Sequence, residues 1–189
     1  MANACKPAVV FIRKMRKATS GRASLDRLKV DFSRLFVGPY ELMAPPYGSV
    51  YLDGERKVMG DSTHDVIKRY REAGLSTAEN FKDAPDHIAA ELEFMHYLIF
   101  KEIEAFTSSN MEAADDFLQK QKSFLEDHLM AWVPEFAQNI TKHAEYPFYQ
   151  NLARATEIYL REINRVFYSA LESGSHDSEK QLEINSLQV

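Results

Sequence analysis

The sequence predicts an all-α, single-domain helical bundle that contains one long irregular loop. Apolar residues recur at three- and four-residue spacing through most of the chain, which is typical of amphipathic helices. Strand signals are almost absent, since Val50-Tyr51-Leu52 is the only candidate and it has no partner. Residues 37–60 carry no helical pattern, yet they hold four of the seven glycines and three of the seven prolines. A helical bundle with one long connection follows.

Start and stop signals divide the helical part into elements. A long helix is predicted where apolar residues line one stripe from Ile88 to Phe106, and Asp86 can cap it. Two further helices are predicted before it: one from Ser24 with Leu25, Leu28, Phe32 and Leu35, and a short one from Ser62 to Gly74. Three are predicted after it. The first is capped by Asn110, the second is shorter and begins at Pro134, and the last runs from Pro147 to Leu171.

Length and composition fit one soluble domain. The chain has 189 residues, of which 45% are hydrophobic and 27% are charged, and this is enough for one core. Its single cysteine, Cys5, cannot form an internal disulfide. No apolar run approaches the ~20 residues of a membrane span, and the run at residues 8–12 is shorter than the ~7–15 residues of a signal-peptide apolar region. We therefore expect a cytoplasmic protein without stable membrane insertion.

Charge and polarity divide the chain into three parts. Residues 1–23 contain six basic side chains and no acidic one, so we expect a disordered basic segment or a partial first helix there. Residues 24–172 are expected to form the helical domain, and residues 173–189 a loose polar tail with few apolar side chains. A basic arm that binds nucleic acid stays open as an alternative interpretation of the N-terminal part.

The long irregular segment at residues 37–60 is the most unusual part of the sequence. Loops longer than ~12–15 residues inside a compact domain are usually functional or disordered. This one carries several large apolar side chains, among them Tyr40, Met43, Tyr47 and Tyr51, and is too apolar for disorder. We expect it to pack on the helices, to bind something, or both.

Asp86 and His87 stand at the start of the longest predicted helix. A carboxylate at the N-cap accepts backbone N–H bonds from the first turn. The positive end of the helix dipole favours a neutral imidazole at His87. A capping acid beside a groove can also receive an arginine through charge-assisted hydrogen bonds. Both roles, cap and arginine receptor, are therefore predicted for Asp86.

A metal site is a minor alternative. Glu93 and His96 have the Glu-x-x-His spacing that places two ligands on one helical face. A di-iron site needs a second such pair, and the sequence contains none. It also contains no Gly-x-Ser-x-Gly and no glycine-rich phosphate loop. The enzyme alternative is thus limited to a metal-binding helical oxidase that uses Glu93 and His96.

Five segments share their order and spacing with one known family. They read VDFSRLFVGP at residues 30–39, APPYGSVYLD at 44–53, PDHIAAELEFM at 85–95, FLEDHL at 124–129 with WVP at 132–134, and PFY at 147–149. Over residues 25–171 the chain resembles the TorD/DmsD family of redox-enzyme maturation chaperones.

This resemblance implies an all-α cytoplasmic chaperone that is not an enzyme and has no cofactor of its own. Members of the family bind the twin-arginine signal peptide of a molybdopterin oxidoreductase subunit and delay its export until its cofactor is loaded. Nucleic acid is not expected as a partner. Some members exchange helices between subunits, so either a monomer or a helix-exchanged dimer is expected.

The resemblance also implies a signal-peptide site. Asp86 and His87 match the acid–histidine pair at the peptide groove, and Glu91 is a weaker candidate for a second acid. The apolar wall and loop beside this pair are matched by Pro85, Phe36, Gly38, Pro46, Tyr47 and Tyr51. A twin-arginine peptide offers two cations followed by an apolar stretch. A binder therefore needs carboxylates beside an exposed apolar groove.

Overall fold

The computed structural model describes residues 22–38, 41–54, 57–78 and 81–186. The elements are α1 (Arg22–Phe32) with a following π-helical turn (Ser33–Val37), α2 (Ser49–Leu52), α3 (Asp61–Glu72), α4 (Ile88–Thr107), α5 (Met111–Phe124), a second π-helical turn (Leu125–Leu129), α6 (Met130–His143) and α7 (Pro147–Ser186). Within the described ranges no strand occurs, and Tyr47 and His87 form one isolated antiparallel bridge. The all-α prediction is confirmed.

One apolar core lies between the helices. Helix α4 packs along α5, and α6 packs along α7. The largest fully buried apolar side chains come from the first π turn, from α4, from the α5–α6 region and from α7, and they are Leu35, Leu98, Phe124, Leu125, Leu129, Trp132 and Leu160. The removal of these side chains from water is the main source of stability in a bundle of this size.

Several predicted helix ends are confirmed. Asn110 caps α5, because its side-chain oxygen accepts the Ala113 N–H at 3.1 Å. Helix α7 begins at Pro147, where the missing N–H is not needed. Gly74 follows α3 with φ of 77° and donates its N–H to the Arg71 carbonyl at 2.9 Å. A left-handed glycine in this position is a common way to end a helix.

Pro134 does not begin a separate helix, so that expectation is wrong. It lies inside α6, which continues α5 through the π turn at Leu125–Leu129. Proline lacks the N–H that a helix interior needs, and it normally kinks or ends a helix. A π turn is one of the irregularities that let a long helix bend and go on.

The segment between residues 37 and 60 is irregular in its described parts except for α2. The strand candidate Val50-Tyr51-Leu52 lies in α2, so it is helical and not extended. The described residues contain no strand with which it could pair, and its first turn instead binds a carboxylate that lies just before α4. Residues 39–40 and 55–56, and with them the expectation for Tyr40, lie outside the described residues.

The structure describes residues near the C-terminal end of the chain, up to Ser186, but describes the N-terminal end only from Arg22. The basic segment predicted at residues 1–23 lies outside the described residues up to position 21. The last helix continues to Ser186, so it is helical at residues 173–186, where the sequence predicts a loose tail. Glutamate, lysine, glutamine and leucine in this stretch are good helix formers despite its low apolar content. In the described part of the chain, no helix is long and apolar enough to cross a membrane.

A buried acid ties α1 to the connection between α6 and α7. The Asp31 carboxylate accepts the N–H groups of Glu145 at 3.2 Å and Tyr146 at 2.8 Å. It also accepts a hydrogen bond from Arg34 at 2.9 Å, and Arg34 pairs with the Glu145 carboxylate at 3.1 Å. Because these bonds fix α1 against the ends of α6 and α7, they hold one side of the groove described next.

Candidate functional site

An apolar groove of about 310 Å³ lies between α1, the start of α4, α6 and α7. Of its lining side chains, only those of His87 and Thr156 are polar. The lining residues are Phe32, Phe36, Pro46, His87, Ile88, Ala89, Leu92, Val133, Phe136, Ala137, Ile140, Leu152, Ala153 and Thr156. A pocket of this size and composition suits an apolar side chain or a short apolar segment.

The groove is open to solvent on the side of α1 and α7. Phe32 is 46% exposed and Leu152 is 42% exposed. Phe36 contacts Phe32 with ring centroids 5.3 Å apart and Tyr149 with centroids 5.7 Å apart, both in edge-to-face geometry. The aromatic wall is therefore preformed and partly exposed to solvent, which is typical of a surface that a ligand covers.

The other wall is the irregular segment around Pro46, which lies on the start of α4. The Gly48 N–H donates to the Asp86 carbonyl at 3.0 Å, and the Ile88 N–H donates to the Pro46 carbonyl at 2.9 Å. The Tyr47 and His87 rings meet edge to face with centroids 5.3 Å apart. These contacts attach the loop to the helix mouth. The loop and the Asp86-His87 pair, recognised separately in the sequence, thus form one structure.

His87, and not Asp86, is the N-cap of α4, so the capping expectation for Asp86 is wrong. The His87 Nδ1 accepts the Ala89 N–H at 3.1 Å. Burial lowers the pKa of His87, although the nearby carboxylates of Asp83 and Asp86 act in the opposite direction. The ring is therefore neutral near pH 7 with its proton on Nε2, since Nδ1 is the acceptor.

The Asp86 carboxylate binds the first residue of α2 and does not cap α4. It is fully buried, with 0% of the residue exposed, and its Oδ2 accepts the Ser49 N–H at 2.7 Å. Ser49 is the first residue of α2, so the acid satisfies a free donor at the positive end of that short helix. From its buried position, it holds residues 48–50 against the start of α4.

Glu91 is a second buried acid, one turn into α4. Its Oε2 accepts the indole N–H of Trp132 at 2.9 Å. Burial is the main reason that the pKa of Glu91 rises from 4.5 to about 8, and the neighbouring Asp86 charge raises it further. A Cβ atom on Gly48 would lie 3.2 Å from Glu91 Oε1 and 3.1 Å from Trp132 Nε1. The glycine thus allows the loop to approach this pair closely.

Tyr47 connects the groove to an exposed acid. Its hydroxyl donates to Asp83 Oδ1 at 3.0 Å, and Asp83 is exposed to solvent. Partial burial, followed by the bond to Asp83, raises the pKa of Tyr47 to about 12. The hydroxyl therefore keeps its proton throughout the physiological pH range and donates a hydrogen bond to the Asp83 carboxylate.

The remaining predicted residues are not among those that line the groove, although the Tyr51 ring meets the lining residue Phe136 edge to face with centroids 6.3 Å apart. Tyr51 stacks on Trp132 with centroids 5.4 Å apart, on the core side of α2. Pro85 offers its carbonyl to the Tyr70 hydroxyl at 3.0 Å. Gly38 ends the first π turn with φ of 93°, a backbone conformation that favours glycine.

Of the nine predicted site residues, the structure brings three to the groove lining. Phe36, Pro46 and His87 line the groove, and Tyr47 lies directly beside it. Asp86 and Glu91 lie buried behind the loop. The predicted residues therefore include some that line the groove and two acids that are buried beneath the loop.

Sequence reasoning missed most of the apolar lining and the exposed acid. Leu92, Phe136, Ile140 and Leu152 follow helical stripes, and the stripe pattern does not distinguish a core side chain from one that lines a groove. No pattern in the sequence identified Asp83, because its partner Tyr47 is 36 residues away in the chain.

The minor metal alternative gains no support from the geometry. Glu93 and His96 are both exposed on α4. Among the described residues, no group of three or more histidine, cysteine, aspartate or glutamate side chains is arranged to hold a metal ion.

The sequence matches one family model and several curated proteins. The family described as "Nitrate reductase delta subunit" matches residues 2–138. The chain is 33% identical over 128 residues to "Chaperone protein TorD" of Vibrio parahaemolyticus, which covers 67% of the chain and 58% of that relative. It is 32% identical over 139 residues to "Tat proofreading chaperone DmsD" of Salmonella typhi, covering 74% of the chain and 61% of the relative.

A solved structure is also similar. It is a crystal structure of a redox enzyme maturation protein from Archaeoglobus fulgidus, 27% identical, which matches 72% of this chain and 67% of that one with a TM-score of 0.48. The chain spans about three fifths of the length of the two curated relatives. By the extent of the family match, the chain belongs to the nitrate reductase delta subunit family, the family of the TorD and DmsD chaperones.

Proposed function

We propose that this chain is a maturation chaperone that binds the twin-arginine signal peptide of a molybdopterin oxidoreductase subunit. It acts in the cytoplasm, before export, and releases the subunit once its cofactor is loaded. The observation that carries the proposal is the preformed apolar groove beside the Tyr47–His87 bridge. The names of the relatives, a Tat proofreading chaperone among them, support the same role.

The groove suits the apolar part of such a peptide. Its lining is aromatic and aliphatic, and the exposed faces of Phe32 and Leu152 would leave water when a peptide binds. Removing apolar area from water contributes about 25 cal/mol per Å². This contribution does not depend on the exact sequence, which fits a leader peptide whose apolar stretch has no fixed side chains.

The neutral His87 suits the backbone of the peptide. Its Nδ1 is occupied by the Ala89 N–H, so Nε2 is the donor that remains. A peptide in the groove carries carbonyl groups that need a donor once they leave water. We assign His87 this role, and we assign Asp86 and Glu91 the role of holding the loop that shapes the groove.

The decisive experiment is calorimetric titration with a synthetic leader peptide that contains two consecutive arginines and an apolar stretch. We expect saturable binding that weakens when both arginines are replaced by glutamine. A second peptide, with the arginines kept and the apolar leucines replaced by serine, tests the groove separately. No binding of the unaltered peptide, or equal binding of the glutamine version, would refute the proposal.

A further inference from the structure

We propose that a second pocket, on another face of α4, binds a small quaternary ammonium compound through a set of aromatic rings and one carboxylate. The pocket shares no lining residue with the groove. The inference therefore goes beyond the function proposed above and does not rest on it.

The pocket lies between α3, the residues that follow α3, and α4, and its volume is about 290 Å³. Such a volume is at the lower end of small-molecule sites, so it suits a compact ligand. Four of the lining side chains carry aromatic rings, and they are Tyr70, Phe81, Phe94 and Tyr97. Aromatic rings in this number are typical of sites that hold a cation against ring faces.

Two of the rings are held in place by their own hydroxyl groups. The Tyr70 hydroxyl donates to the Pro85 carbonyl at 3.0 Å, and the Tyr97 hydroxyl donates to the Ala73 carbonyl at 3.1 Å. Tyr70 also packs on Phe94 with ring centroids 4.7 Å apart. Because these contacts exist before any ligand arrives, binding does not have to order this part of the wall.

Phe81 is the exposed ring of the pocket. It is 37% exposed, and its N–H donates to the Ala78 carbonyl at 2.9 Å, which fixes the backbone that carries the ring. A ligand in the pocket would remove part of this apolar surface from water, which favours binding.

The charge around the pocket favours a cation. Glu93 is exposed and is the one charged side chain among the described residues that line the pocket. Burial, and then the nearby carboxylates of Glu91, Asp86 and Glu93, raises the pKa of the Tyr70 hydroxyl. The same carboxylates make the pocket unfavourable for an anion.

The lining favours an alkylated cation over a bare ammonium. A bare ammonium is strongly hydrated, and its three N–H groups need acceptors once they leave water. Aromatic rings and a single carboxylate do not replace that many hydrogen bonds. The methyl groups of a quaternary ammonium need no acceptor, and its spread charge is attracted to ring faces.

The test is isothermal titration with three ligands of similar shape. They are choline, its neutral carbon isostere, in which a tert-butyl group replaces the trimethylammonium group, and ethanolamine, which carries a bare ammonium. The pocket variants are Phe81→Leu and Glu93→Gln, and the matched controls are Phe100→Leu and Glu104→Gln, which change exposed side chains of α4 outside the pocket. Thermal unfolding verifies that each variant is folded.

We expect the wild type to bind choline saturably and about tenfold more tightly than either of the other two ligands. Phe81→Leu should weaken choline binding about fivefold, and Glu93→Gln about threefold. Both control variants should bind choline like the wild type.

The proposal fails if the wild type does not bind choline or does not prefer it to the neutral isostere. It also fails if both pocket variants bind choline like the wild type, because the site then lies elsewhere. No signal peptide takes part in these titrations, so neither result bears on the function proposed above.

Discussion

At the scale of single residues, Glu91 is a buried acid whose pKa lies far above its ordinary value. Its pKa rises from 4.5 to about 8, chiefly because of burial. Between these two pH values the unfolded chain releases the proton of Glu91 while the folded protein keeps it. The folded state then binds more protons, so the stability contributed at this site falls as pH rises through that window.

We therefore predict that Glu91→Gln becomes progressively more stable relative to the wild type as pH rises from about 5 to 8. The wild type should lose up to about 1.4 kcal/mol per pH unit relative to the variant. Glutamine retains an oxygen for the Trp132 indole, so the hydrogen bond survives the change. Urea unfolding at several pH values measures the free energy of unfolding for both proteins.

The control for this measurement is Glu135→Gln, which changes an exposed acid on α6. Its stability should follow the wild type across the same pH range. Parallel stability curves for the wild type and Glu91→Gln would show that Glu91 ionises as easily in the folded protein as in the unfolded one.

Residue types alone predicted the start of α4 but not the role of each side chain there. Both Asp86 and His87 can cap a helix, and the sequence favoured the aspartate. The structure uses the histidine as cap because the Asp86 carboxylate is taken by Ser49, 37 residues earlier. A long-range contact of this kind leaves no periodic signal in the sequence.

At the scale of elements, α4 shows that a helical stripe is not always a buried one. Of the stripe predicted from Ile88 to Phe106, only Met95 is buried, and the buried face carries Phe94, Leu98 and Ala105 instead. Ile103 is 60% exposed and Phe106 is 66% exposed. The apolar pattern therefore predicts the helix correctly but not which of its apolar faces is buried.

We predict unequal costs for two truncations on α4. Leu98→Ala should destabilise the protein by about 2–5 kcal/mol, because Leu98 is fully buried and its removal leaves a cavity. Ile103→Ala, on the same helix, should change the free energy of unfolding by less than about 0.5 kcal/mol. Chemical denaturation of both variants gives the comparison directly.

A large loss of stability in Ile103→Ala would mean that a part of the chain outside the described residues covers this face. Equal and small effects in both variants would mean instead that Leu98 is not part of the core.

The element-level predictions failed where backbone irregularities or short helices decide the structure. Pro134 looks like a helix start in sequence, and a π turn lets α5 continue past it. Val50-Tyr51-Leu52 has strand-forming residues but lies in a four-residue helix. Local propensity predicts the secondary structure of such short segments poorly, because contacts with neighbouring elements outweigh it.

At the scale of the whole molecule, the groove depends on parts far apart in sequence. Its lining runs from Phe32 to Thr156, across four helices and one loop. The family match ends at residue 138, so the wall on α7 lies beyond it. The fold class followed from periodicity alone, whereas the groove required the packing of these elements.

We predict that Leu152→Ser weakens binding of the twin-arginine peptide about tenfold, because a partly exposed apolar side chain leaves the groove wall. The matched control is Val166→Ser, a similarly exposed position on the same helix outside the groove lining. Both variants should unfold at wild-type temperature. Isothermal titration compares their affinities.

Equal affinity of the Leu152→Ser variant and the wild type would remove α7 from the binding surface. The choice between a monomer and a helix-exchanged dimer stays a prediction, and light scattering with and without peptide measures it at the same time.

Trp132 gives the molecule a built-in optical probe. It is the single tryptophan of the chain, and it lies under the loop, stacked on Tyr51 and bonded to Glu91. A peptide that only fills the groove leaves the indole dry, so its fluorescence stays at short wavelength. A peptide that lifts residues 44–52 admits water and shifts the emission to the red. One spectrum therefore separates a rigid groove from a hinged one.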